Sequence, residues 1–108
     1  MTHKVEPGSM GWTPGKASGF FRKDLLQLTN GDVKLVKIEP MSFFPPHAHA
    51  DKTEFVWVLE GNLEITVEEN SFPAGSGIFF SFPTGVTHSL RNSSNSECVL
   101  LIGTIASL

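Results

Sequence analysis

The amino-acid sequence predicts an all-β fold, a sandwich or barrel of short strands. Three observations point that way. Runs rich in Val, Ile, Phe and Trp recur along the chain with turn residues between them, a pattern of paired strands rather than of helices. Leu63-Glu64-Ile65-Thr66-Val67 alternates strictly between apolar and polar residues, which marks a strand buried on one face. Nine Phe and two Trp in 108 residues tilt the composition towards sheet.

In chain order, residues 1–19 are rich in Gly, Pro and Ser and read as an extended N-terminal arm. Trp12 within it is a large apolar group that needs a docking surface, on this chain or on a partner subunit. Residues 20–108 are expected to be one β-barrel domain, because a chain of this length has no room for a second core. Residues 20–28 form the first strand and are the only stretch for which a helix can be argued. Thr29-Asn30-Gly31-Asp32 turns the chain, and Asn-Gly favours the positive φ of a tight hairpin. Val33-Lys34-Leu35-Val36-Lys37-Ile38 is the second strand, ended by Pro40. Phe43-Phe44-Pro45-Pro46 follows, then the β-branched and aromatic run Phe55-Val56-Trp57-Val58-Leu59. Glu60-Gly61-Asn62 and Glu69-Asn70-Ser71 are turns on either side of the Leu63 strand. Residues 78–82, 89–91 and 98–105 complete the set.

Composition excludes several functions. Eleven acidic against eight basic residues give a formal charge of −3 with no basic stripe, so no nucleic-acid partner is expected. Cys98 is alone, which rules out an internal disulfide, and its apolar neighbours suggest a buried, inert thiol. The amino end lacks an apolar leader core, and no apolar run approaches the ~20 residues needed to span a bilayer. A soluble cytoplasmic protein without a membrane partner is the expectation. Without a secretory route, the sequon Asn92-Ser93-Ser94 reads as chance.

Three of the four histidines fall in two short segments, around His47-Ala48-His49 and at His88. In a strand, residues two apart face the same way, so His47 and His49 can reach one ion at about 2.0–2.1 Å each. Glu54 opens the next strand and can return beside them. His88 joins only if the sheet closes on itself. Imidazole and carboxylate together suit first-row divalent metals. His3, in the arm, has no such partner.

These segments resemble the paired signatures of the cupin superfamily. The first matches the HxHxxxxE form with His47, His49 and Glu54, then six residues to Gly61. The second fits GxxxxxPxGxxHxxxN at Gly77, Pro83, Gly85, His88 and Asn92. One position departs: where the first motif usually opens with Gly, this chain has Met41, which concerns local backbone shape rather than ligation. The motifs and the stretch between them cover residues 41–92. The resemblance implies a double-stranded β-helix, that is, a jelly-roll barrel, with one divalent transition metal held by His47, His49, Glu54 and His88. Fe, Mn, Ni, Cu, Co and Zn all remain open. Four protein ligands on an octahedral ion leave up to two positions, as a catalytic metal requires. Gly61, Gly77, Pro83 and Gly85 set turns, and Asn92 closes one through its side chain.

Strand parity gives an inner lining for a substrate pocket. Phe43 and Pro45 share the face of the first two histidines, provided no bulge intervenes. Val56 and Val58 share the face of Glu54, which sends Phe55, Trp57 and Leu59 outward. Val86 and Leu90 share the face of His88, and Arg91 points out. Phe80 and Phe82 share a face that parity leaves unassigned. This lining is apolar and aromatic, with no Lys, Arg or second acid, and no catalytic residue beyond the ligands can be nominated. The outward stripe centred on Trp57 needs a cover, and a homodimer would supply it.

Three functions are consistent with this reading. The first is a metal-dependent, dioxygenase-type oxidoreductase acting on a small apolar or aromatic compound. The second is a non-enzymatic metal-binding or small-ligand sensory module. A sugar isomerase or epimerase is the third and has less support, because sugar epimerases of the cupin type pair a His with a Tyr and this chain has no Tyr.

Overall fold

The computed structural model describes residues 3–107. Among them the chain forms ten strands: β1 (Thr13–Pro14), β2 (Phe20–Leu28), β3 (Gly31–Ile38), β4 (Ser42–His47), β5 (Lys52–Glu60), β6 (Asn62–Val67), β7 (Asn70–Gly75), β8 (Phe79–Phe82), β9 (His88–Asn92) and β10 (Cys98–Ala106). All pairing is antiparallel. One sheet has the order β1-β2-β3-β10-β5-β8 and the other β4-β9-β6-β7. The two sheets close into a jelly-roll barrel, as the motif resemblance implies. No helix among the described residues is long and apolar enough to cross a membrane.

The core is what alternation predicts. Ile38, Val56, Val58, Ile65, Leu100 and Phe82 point between the sheets and are essentially fully buried, with Leu63, Leu90 and Ile102 around them. Burying each such side chain contributes about 1.5–3 kcal/mol. Cys98 is buried in the same core; burial pushes its thiol up, and Sγ donates to the Asn62 carbonyl at 3.3 Å. Residues 20–28 are strand throughout, so the helical alternative fails.

Two local expectations are corrected, and a third that was left open is decided. First, neither Asn30 nor Gly31 takes a positive φ: the β2–β3 hairpin turns through Thr29 and Asn30. Gly31 is needed for closeness instead, since a Cβ there would lie 2.5 Å from the Thr104 carbonyl oxygen. Second, Asn70 and Ser71 are not turn residues but open β7, and Glu68 (φ 55°) makes the turn before them. Third, Trp12 docks on its own chain. It packs on the outer face of the larger sheet, with the ammonium groups of Lys23 and Lys37 4.5 and 5.1 Å from its ring.

β7 carries Pro73 and Gly75, and β4 carries Pro45 and Pro46. Both lie at the edges of the smaller sheet, where a missing N–H costs no ladder bond. Met41 adopts φ 61°, the left-handed conformation that a glycine would take without strain. Its backbone therefore makes the turn expected of the motif despite the different side chain.

Candidate metal centre

Each ligand candidate sits at a strand end on the same rim of the barrel. His47 ends β4 and pairs directly with His88, the first residue of β9, so both rings project from one face. Glu54 projects inward from β5, opposite Phe82 of β8 and Thr104 of β10. His49 lies just beyond β4, where its carbonyl accepts the Gly85 amide at 2.8 Å. The turn at residues 83–85 thereby holds the loop that carries His49, and Gly85 needs its positive φ of 83° to do so.

The four side chains converge, with one ligand atom from each lying within 4.8 Å of all the others. Ligands at about 2.1 Å from one ion lie at most about 4.2 Å apart, so the set is close to ligating distance. Glu54 Oε1 is 2.8 Å from His88 Nε2 and 3.9 Å from His47 Nε2, and Oε2 is 3.5 Å from His49 Nε2. His47 Nδ1 lies 3.0 Å from the Pro45 carbonyl, and His88 Nδ1 lies 3.0 Å from the Val86 carbonyl. A carbonyl can only accept, so each Nδ1 donates. In the neutral ring each Nε2 then presents its lone pair to the cluster, whereas in the protonated ring Nε2 donates to Glu54, as the 2.8 Å contact from His88 allows. A lone pair facing a carboxylate oxygen calls for a cation between them. His49 Nε2 is buried without a hydrogen-bond partner, a costly arrangement that a bound cation would relieve. On these grounds the donor set fits a divalent metal.

Electrostatics agree. Burial alone would push the Glu54 carboxyl up, but hydrogen bonds from His47 and His88 and the charges of His88 and His49, when these rings are protonated, outweigh it and hold the group well below the usual carboxylate range. The Glu54 carboxylate raises His47 above the ordinary histidine value, against the pull of burial. Burial lowers His49, which Glu54 only partly offsets.

The surroundings differ in part from the predicted lining. Phe43 is corrected: it is exposed on the outer face, where the Arg91 guanidinium stacks 4.3 Å from its ring. A bulge at Pro45-Pro46 inserts one residue between the Phe44–Leu90 and His47–His88 pairs and reverses the parity. Phe44 takes the inner place, with its ring 4.7 Å from His47. Val56, Val58, Phe82 and Leu90 are buried in the closed core beneath the ligands, and Phe82 stacks on His88 at 3.9 Å, nearly parallel. Phe80 is half-buried beside Phe82 and Phe72. Trp57 and Leu59 are exposed on the outer face, next to a Phe55–Phe79 stack.

Asn92 is fully buried and heavily bonded. Its amide nitrogen donates to the Ile38, Glu39 and Ser96 carbonyls, and its oxygen accepts from the Ser94 amide and hydroxyl. It therefore ties three segments together within the core.

The expectation of a lining without a cation or second acid is also corrected. Thr104 stands beside Glu54 on the neighbouring strand and Asp32 beside Thr104 on the strand after that, with the Thr104 hydroxyl donating to Asp32 Oδ1 at 2.8 Å. Lys52 precedes Glu54 by two residues on β5, close enough for its charge to act on His49, while Lys16 of the arm acts on His47. Parity from Glu54 was enough to find Lys52. Asp32 and Thr104 depend on long-range pairing that no local pattern shows.

The family model described as "Cupin domain" matches residues 34–103. The chain belongs to the cupin family. It is 33% identical over 76 residues to a putative germin-like protein 3-2 of Oryza sativa, an alignment that covers 64% of this chain and 34% of that protein. It is 38% identical over 52 residues to a quercetin 2,3-dioxygenase of Bacillus subtilis, covering 48% of this cupin and 15% of the relative. The cupin thus spans about a third or less of the length of both relatives. Among solved structures, a predicted oxalate decarboxylase from Thermotoga maritima superposes with TM-score 0.89 at 18% identity, over 96% of this chain and 99% of that one, a likeness of fold alone.

Proposed function

We propose that this cupin is a metal-dependent oxidoreductase of the dioxygenase type, acting on a small compound with an apolar or aromatic body. The observation that carries the reading is the convergence of His47, His49, Glu54 and His88 within 4.8 Å on one rim of the barrel. These four would hold one divalent transition metal, which when bound would supply Lewis-acid and redox chemistry at positions the protein leaves open. The chain's own groups do the rest. Carbonyl bonds from Pro45 and Val86 fix two of the imidazoles. Phe82 and Leu90 seal the floor against water, and Phe44 and Phe80 offer apolar walls that lower the local dielectric. The likeness to a quercetin dioxygenase supports oxygen chemistry over the sensory and isomerase readings.

A homodimer accompanies this reading. Trp57, Leu59, Phe79 and Ile105 are exposed together on the outer face of the larger sheet, and a second copy is the commonest cover for such a patch. The unpaired, buried Cys98 suits a reducing compartment such as the cytoplasm.

The test is oxygen uptake by metal-loaded protein across catechols, flavonoids and thiols, with the His88→Ala variant as control. Uptake with at least one class, lost in the variant, supports the reading. No uptake with any class, together with a metabolite retained through purification, would replace it with the sensory module.

A further inference from the structure

We infer that the polar cleft beside the metal centre is a substrate subsite, in which Asp32, Thr104 and Lys52 hold a head group bearing neighbouring hydroxyls. It deepens the proposed activity and rests on that reading for the metal at which the other end of the substrate would react.

The cleft opens where the β2–β3 hairpin, the start of β5 and the end of β10 meet. It holds about 250 Å³ and is lined chiefly by Leu28, Asn30, Asp32, Asp51, Lys52 and Thr104. Register links it to the ligands. Thr104 is paired with Glu54 on one side and Asp32 on the other, so the three side chains stand in a row on one face. Two strand spacings put the Asp32 backbone about 10 Å from that of Glu54, roughly the length of a six-membered ring with its substituents. Lys52 shares the face of Glu54 two residues away.

Hydrogen-bonding chemistry selects the ligand class. The buried Thr104 hydroxyl spends its proton on Asp32 Oδ1, which leaves Oδ2 with its full accepting capacity. Among the described residues, Lys52 forms no ion pair with a carboxylate within 4.0 Å. A hydroxyl both donates and accepts, so it can give its proton to Asp32 while receiving one from Lys52, and a neighbouring hydroxyl can repeat this. A wholly apolar head would bury these groups unpaired. A phosphate would meet two carboxylates, Asp32 and Asp51, against one ammonium.

The experiment titrates the zinc-loaded, isotope-labelled chain with myo-inositol, a ring of neighbouring hydroxyls, and with cyclohexanol, following amide shifts by NMR. We expect saturable shifts with inositol at residues 30–32, 52 and 104–106, and none with cyclohexanol. Asp32→Asn keeps an oxygen for the Thr104 hydroxyl but turns the second oxygen into a donor, so binding should weaken roughly tenfold. Thr104→Val should weaken it similarly and Thr104→Ser should restore it. Any of three results overturns the subsite: no saturable shift, equal binding by Asp32→Asn, or equal shifts with cyclohexanol. Loss of zinc from Asp32→Asn would also overturn it, by showing a structural role at the centre. Failure of the unaltered chain to hold zinc, with the inositol shifts intact, would sink the metal reading and leave the subsite standing.

Discussion

The inner face of β5 changes character within four alternate residues. Lys52 and Glu54 are polar and partly open at the rim, whereas Val56 and Val58 are fully buried. The neighbouring strands repeat the change, from Thr104 to Ile102 and Leu100 on β10 and, one step deeper, from Asp32 and half-buried Lys34 to Val36 and Ile38 on β3. One end of the barrel is close-packed and gives the molecule its stability. The other end leaves charged and coordinating atoms only partly satisfied, which is poor for stability and useful for binding. His88 and Phe82 mark the boundary, since an imidazole of the rim lies flat on a ring of the core.

Substitutions can test how sharp that boundary is. Phe82→Ala removes a fully buried ring and should cost about 3–5 kcal/mol in chemical denaturation. It should also weaken metal binding, because His88 loses the surface that orients it. Leu100→Ala lies deeper and should cost about 2–5 kcal/mol while leaving metal stoichiometry unchanged. Metal loss in a folded Leu100→Ala protein would erase the distinction between the two ends.

Acidity probes the rim alone. A metal and a proton compete for the same Nε2 lone pairs. His47 lies above the usual histidine value of about 6.5 and so takes up a proton before His49 as the pH falls. His49 lies below it and stays neutral longer, and Glu54 stays ionised. Metal affinity, read by chelator competition, should therefore be steady at mildly alkaline pH. It should begin to fall above 6.5, where His47 starts to protonate, and continue falling on the acid side. Constant affinity through that window would place the metal elsewhere.

The smallest effect lies in the loop before β4. Met41 holds a left-handed backbone that costs a residue with a Cβ roughly 1–2 kcal/mol, and its side chain is 70% exposed. Met41→Gly should raise stability by up to about 1 kcal/mol, because the unfolded glycine is itself more flexible. A loss of stability would mean that the side chain does more than its exposure suggests.

Much of this was legible in the sequence, and what was not has specific causes. Alternation in residues 63–67 and the apolar runs at 55–59 and 98–105 marked their strands, because one-sided burial imposes a period of two. The motif residues marked the rim cluster. β7 was hidden because Pro73 and Gly75 argue against a strand unless its edge position is known. Phe43 and Phe44 exchanged faces because consecutive prolines hosted a bulge, and parity is blind to an inserted residue. Asp32 and Thr104 are 72 positions apart, so only the β3–β10 pairing joins them, and only the β10–β5 pairing sets them in line with Glu54.

The central claim is that four side chains on the open rim share one metal ion. Elemental analysis of the purified protein, alongside His47→Ala and His88→Ala variants confirmed as folded, tests it most directly. We expect near-stoichiometric transition metal in the unaltered chain and none in either variant; full retention in both variants would contradict the account.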